Sequence, residues 1–237
     1  MKTLQPVWDA LRPPQRKATV ILLVASVVLL LWKYYCAPEI YEVCFAPPPI
    51  GPVAPEVGGA VCHFLSTLLL LGVVPVLIVK RVFGESLRDY GVSVGVVVRT
   101  VRTFLIFAPI FAIAGYVGSH DPAMLERFPI NRHAGQSLSM FALHAATYFL
   151  YYMGWEFFFR GFMLFGLRAS VGDANAVLIQ TLASALVHIG NPAAETFGAI
   201  IAGLLWGMLA LRTRSLLSGL GQHFLLGITL DWFLCFG

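Results

Sequence analysis

Seven apolar stretches, each close to the length of a membrane helix, fill most of this chain: roughly 18–35, 59–79, 96–118, 137–154, 174–190, 196–211 and 215–236. A helix rises about 1.5 Å per residue, so a hydrocarbon layer about 30 Å thick takes about 20 mostly apolar residues to cross. The fourth stretch runs into a charged motif and extends to about 168. Only 12% of the 237 residues are charged, against about 25% in soluble domains, and the mean hydropathy is +0.79. A water-soluble fold of this size could not hide that much apolar surface. The expected fold is therefore all-α, a polytopic transmembrane bundle of about seven helices. Residues 1–83 read as N-terminal anchor helices joined by a Pro-rich outer loop. Residues 84–237 read as the core of the same continuous membrane domain.

The formal charge of +4 would suit a nucleic-acid binder, but its distribution argues for topology instead. Thirteen of the sixteen Lys and Arg residues fall on one side if the seven segments alternate: Lys2, Arg12, Arg16, Lys17, Lys80, Arg81, Arg88, Arg99, Arg102, Arg160, Arg168, Arg212 and Arg214. The other side has Arg127, Arg132 and, at the end of the first segment, Lys33. The positive-inside rule then puts the N-terminus in the cytoplasm and the C-terminus outside, as in a multi-pass protein of a bacterial inner membrane. Trp32-Lys33-Tyr34-Tyr35 offers no small-residue cleavage site, so the first segment reads as a retained anchor. The outer loop Cys36–Gly58, with Ala46-Pro47-Pro48-Pro49, is expected to be extended rather than helical. Cys36 and Cys44 within it are open to two readings, a disulfide or two free thiols. Gly84–Gly91 is a polar connector with room for one interfacial turn, and 212–215 makes a tight helical hairpin.

Ionisable side chains inside a membrane helix cost at least about 2.5–3.5 kcal/mol on insertion scales and so mark function. Glu156 and Arg160 are four apart, about 40° around a helix, and share one face. Phe157, Phe158 and Phe159 between them are expected to cover the lipid-facing remainder. His188 ends the fifth stretch, with Glu195 seven residues on and able to orient it; His223 sits in the seventh stretch beside Gln222. Asp231, two turns beyond, reads either as the partner of a neighbouring helix or as a solvated group at the outer surface. His63 and His144 read as packing or helix–helix hydrogen-bonding residues. One Glu and two His from three helices are the parts for activating water, in either of two ways. A carboxylate can act as general base while histidines stabilise the oxyanion. Alternatively Glu156, His188 and His223 can hold zinc with one position left for water. No Ser or Cys has a convincing partner base.

In the order Trp155-Glu156-Phe157-Phe158-Phe159-Arg160-Gly161, His188 with Pro192 and Glu195, and then His223, the chain resembles the CAAX protease and bacteriocin-processing (CPBP, or abortive-infection) family of intramembrane proteases. Its motifs are Glu-Glu-x-x-x-Arg-Gly, Phe-x-x-x-His and His-x-x-x-Asn/Asp. The likeness spans roughly 84–233 and departs from the pattern in three places. Trp155 stands at the first Glu, Ser184 at the Phe, and Gly227 where Asn or Asp would be. The resemblance implies an endopeptidase cutting near the C-terminus or leader of a membrane-associated protein or peptide, in a lipid setting and without nucleic acid. It implies the base at the first Glu, where this chain has Trp155; Glu156 is read as taking over that role, because Arg160, His188, Glu195 and His223 are all present, with His223 and His188 on the oxyanion and Arg160 and Glu195 preorganising the site. The zinc-dependent version and a non-catalytic immunity or scaffold protein remain as alternatives.

Overall fold

The computed structural model describes residues 15–45 and 54–237. The described residues fold into nine helices: α1 Arg16–Tyr35, α2 Pro38–Phe45, α3 Pro55–Phe83, α4 Val97–Gly118, α5 Pro122–Arg127, α6 from Leu138–Glu156 on to Val171, α7 Asp173–Val187, α8 Ala193–Thr213 and α9 Leu217–Phe236. The architecture is all-helical, as the seven apolar stretches require. α1, α3, α4 and α8 are each long and apolar enough to cross a membrane alone, and α6, α7 and α9 run alongside them. One difference lies in the first outer loop. Pro38 opens α2 and Pro55 opens α3, positions where a missing N–H costs nothing because no partner awaits it. Prolines that rule out a helix interior thus start two helices here. The run Ala46–Pro49 and the Cys44 side chain lie outside the described residues.

Short polar connections tie each end of the bundle. At the basic end, Lys17 meets Glu85 at 2.6 Å, the Leu216 amide donates to the Gly91 carbonyl at 3.0 Å, and the Val96 amide donates to Thr213 at 3.0 Å. The expected interfacial turn in the connector is the 3₁₀ turn Leu87–Tyr90. Arg214, in the left-handed region at φ 55°, makes the sharp reversal between α8 and α9. At the opposite end, Lys33 donates to the carbonyls of Val187 and Ile189 at 2.9 and 3.0 Å, and His63 Nδ1 lies 2.6 Å from the Cys36 carbonyl oxygen.

α6 is the central helix. Every residue from Gly154 to Leu167 is buried, so Phe157, Phe158 and Phe159 face protein and not lipid as expected from their apolarity alone. Trp155, Phe158, Phe159 and Phe162 form the middle of the main core, which α1, α3 and α7 close. Trp32 Nε1 donates to Thr67 Oγ1 at 2.7 Å, locking α1 to α3. Gly154 lets α6 lie directly on α3, since a Cβ there would stand 2.9 Å from the Leu68 Cα. Close backbone approach through glycine is the usual way that membrane helices gain packing contacts. Immediately beyond Glu156 the helix widens into π geometry over Phe157–Phe165, a departure found most often at functional sites.

Candidate active site between α6, α8 and α9

Glu156 ends the α-helical part of α6, facing α9 across the bundle. Its Oε1 lies 2.8 Å from His223 Nδ1 and 3.2 Å from Arg160 Nη1. The Glu156 and Arg160 side chains are each 2% exposed, so this is a fully desolvated cluster. Removing one member of such a group leaves an uncompensated charge, which is costly. Trp206 of α8 builds the wall behind it. Its ring lies 4.2 Å from the His223 ring and 5.3 Å from the Arg160 guanidinium. Trp206 is itself fixed, because Nε1 donates to Gln222 Oε1 at 3.0 Å, and Gln222 Nε2 donates to the Thr103 carbonyl and Ser218 Oγ. The polar residue next to His223 thus anchors the indole against which that histidine packs.

His188 sits at the turn between α7 and α8. Its Nδ1 lies 2.6 Å from the carbonyl oxygen of Ser184, an acceptor, so Nδ1 holds the proton. Its Nε2 faces Glu195 Oε1 at 3.6 Å, and Asn191 Nδ2 donates to the same oxygen at 2.9 Å. At that distance, and with Nε2 unprotonated, Glu195 makes no hydrogen bond to His188, and its Oε2 is buried with no partner among the described residues. Trp155, at the first Glu position of the resemblance, meets the His188 ring edge-on at 5.4 Å and stacks on Tyr151 at 5.6 Å.

Two cavities meet at this cluster. One, of about 250 Å³, opens among the Ala37–Glu39 and Arg127–Ile130 segments with Lys33 and Arg127 at its mouth. The other, of about 450 Å³, is apolar and lies between α4, α8 and α9, lined by Phe111, Gly115, Ile201, Leu205 and Leu226 among others. His188, Glu195, His223, Tyr148, Tyr152 and Phe128 line both. Glu156 lines neither: its carboxylate is behind His223, against Gly219 of α9. Among the described residues no three His, Cys, Asp or Glu side chains converge as metal ligands, and the hydrogen bonds of His223 and His188 engage Nδ1 in each ring.

A second buried pair emerges where the sequence left alternatives. Asp231 Oδ2 accepts from His144 Nε2 at 2.8 Å, with side chains 1% and 0% exposed, so Asp231 is the partner of a neighbouring helix. Tyr148 and Tyr152 occupy the two turns between His144 and Glu156, and all four are buried. These tyrosines line both cavities, and reading charged residues alone passes over them. Their signal is the spacing of four from 144 through 148, 152 and 156 to 160, matched on α9 by 223, 227 and 231.

Comparison with known families places a domain on this geometry. The family model described as "Type II CAAX prenyl endopeptidase Rce1-like" matches residues 133–229, in agreement with the resemblance to the CPBP family. The matched stretch holds Tyr152, Glu156, Arg160, His188, Glu195, Trp206 and His223. No curated protein and no solved structure matches the chain.

Proposed function

Starting from an Rce1-like domain over residues 133–229, we propose that the chain hydrolyses a peptide bond of a membrane-associated substrate, near its C-terminus or leader, using water activated by the His223–Glu156 pair. The observation that supports this most is the position of His223. It lines both cavities and presents its second nitrogen there while Glu156 takes the first at 2.8 Å. A carboxylate accepts hydrogen bonds, so Nδ1 holds the proton and Nε2 has a free lone pair. This tautomer suits a base rather than an oxyanion donor, the reverse of what sequence alone suggests for His223. Nε2 takes a proton from water as the oxygen attacks the carbonyl carbon. The same proton passes to the nitrogen of the leaving amine when the C–N bond breaks. Glu156 holds the imidazole in register and stabilises the cation formed, and Arg160 fixes Glu156. Glu195 and His188 border the same space and present acceptors for a backbone N–H of the substrate.

With the basic end in the cytoplasm, the polar cavity opens to the outside of a bacterial inner membrane, and the apolar cavity receives the membrane-embedded part of the substrate. Glu156→Gln in folded, purified protein is expected to lower kcat at least about a hundredfold, as loss of an orienting carboxylate does in hydrolytic triads. His223→Gln should do the same. Activity retained by Glu156→Gln would remove this assignment, and a wild type that binds membrane peptides without cutting them would leave a scaffold.

A further inference from the structure

We propose that the hydroxyl of Tyr152 is an oxyanion donor of this site, a role that rests on the hydrolytic reading above. A tetrahedral intermediate places a full negative charge on the former carbonyl oxygen and needs preorganised N–H or O–H groups aimed at it. Neither cavity-facing histidine offers one while neutral. His223 Nδ1 is committed to Glu156 and His188 Nδ1 to the Ser184 carbonyl, so both Nε2 atoms present lone pairs. Arg160 also reaches the apolar cavity, with Nε and Nη1 lacking hydrogen-bond partners among the described residues, but its charge is neutralised by Glu156 at 3.2 Å. The Tyr152 hydroxyl is a neutral donor at the junction of both cavities.

Its position is set by two helices. Tyr152 is one turn before Glu156 on the same face of α6, 4% exposed, with its ring 4.5 Å from the His223 ring and 4.6 Å from that of Tyr148. On α9 the facing residue is Gly227, one turn after His223. A Cβ built at Gly227 would fall on the Tyr152 hydroxyl itself. The space that any side chain at 227 would enter is thus filled by a phenol from α6. Where the resemblance leads one to expect Asn or Asp on α9, this chain has a glycine on α9 and a hydroxyl from α6 in the same place. A hydroxyl from α6 thus occupies the place of a side chain on α9, one turn from His223.

The test measures cleavage of a panel of internally quenched peptides, each with a lipidated cysteine or apolar tail, by protein in lipid–detergent micelles. Tyr152→Phe keeps the ring and removes the donor. It should lower kcat about a hundredfold with KM within about threefold, the signature of a contact made in the transition state. Gly227→Asn alone should also lose activity, because the new side chain collides with the phenol. Combining Tyr152→Ala with Gly227→Asn should recover at least about tenfold over Tyr152→Ala, since the amide can donate from the vacated place. Tyr152→Phe within about threefold of wild type, or a folded double variant no better than Tyr152→Ala, overturns the proposal. If Glu156→Gln stays active, or wild type cuts no member of the panel, the hydrolytic reading itself fails and takes this role with it.

Discussion

Cutting the His144–Asp231 link tests whether the polar row on α6 holds the bundle together. The two atoms lie 2.8 Å apart with side chains 0% and 1% exposed, and His144 Nδ1 and Asp231 Oδ1 have no other partner among the described residues. Two magnitudes compete. Breaking a buried charged pair in a water-soluble protein costs about 3–5 kcal/mol because one group is left stranded. Interhelical hydrogen bonds in a membrane protein average about 0.6 kcal/mol and reach about 1.7, since separated helices find other partners in the bilayer. Here the stranded group has nowhere to turn inside the folded bundle, so the native-state penalty should dominate. Asp231→Leu and His144→Phe should each destabilise by about 2 kcal/mol, above the membrane average and below the soluble limit. The double variant replaces the pair with apolar groups, strands neither, and should lie within about 1 kcal/mol of wild type. SDS-driven unfolding in mixed micelles, followed by intrinsic tryptophan fluorescence, gives the four free energies of the cycle. Single variants within about 0.5 kcal/mol of wild type, with purely additive effects, would refute the argument that this row is a structural tie.

Two other outcomes follow from the packing. Gly154→Val drives a side chain into the α3 backbone, 2.9 Å from both the Leu68 Cα and the Thr67 carbonyl oxygen, and should cost about 1–3 kcal/mol in the same unfolding assay. In the connector at the basic end, partial burial pushes the Glu85 carboxyl up, but hydrogen bonds from Lys17 at 2.6 Å and Tyr90 at 2.5 Å outweigh it and leave Glu85 below its ordinary value of 4.5. The stabilisation is therefore present above the unfolded value and lost as pH falls through the folded one. Melting at pH 3 to 7 should show Glu85→Gln losing part of the acid limb, by less than about 1 kcal/mol because the pair is exposed to water.

The membrane segments were legible because hydropathy records a one-dimensional property, the length of chain that lipid tolerates. α4 and α8 match the apolar stretches closely for this reason. α2 was hidden by its neighbours, since a Pro-rich composition suggests an extended loop while Pro38 occupies the one helical position that welcomes it. The pairing of Glu156 with Arg160 and the proximity of His188 to Glu195 could be read from spacing within or next to one helix. The depth of Glu156 behind His223, the Asp231–His144 bond and the Tyr152–Gly227 contact could not, because each depends on how α6 lies against α9. Phe157, Phe158 and Phe159 misled for a related reason: apolar side chains face lipid or protein equally well, and only the central place of α6 decides.

α6 and α9 are absent from the four helices that could cross a bilayer on their own apolarity. Most of the chemistry thus resides on two segments outside that set, and biogenesis has to reckon with that. During synthesis α6 leaves the insertion machinery with His144 lacking Asp231 and the Glu156–Arg160 pair lacking His223, two helices, α7 and α8, ahead of the segment that supplies them. Its lodging in the membrane depends on α1 and α3 already standing as a wall to receive it, so damage to that early wall is expected to appear as failed insertion of a later helix rather than as a weakened enzyme.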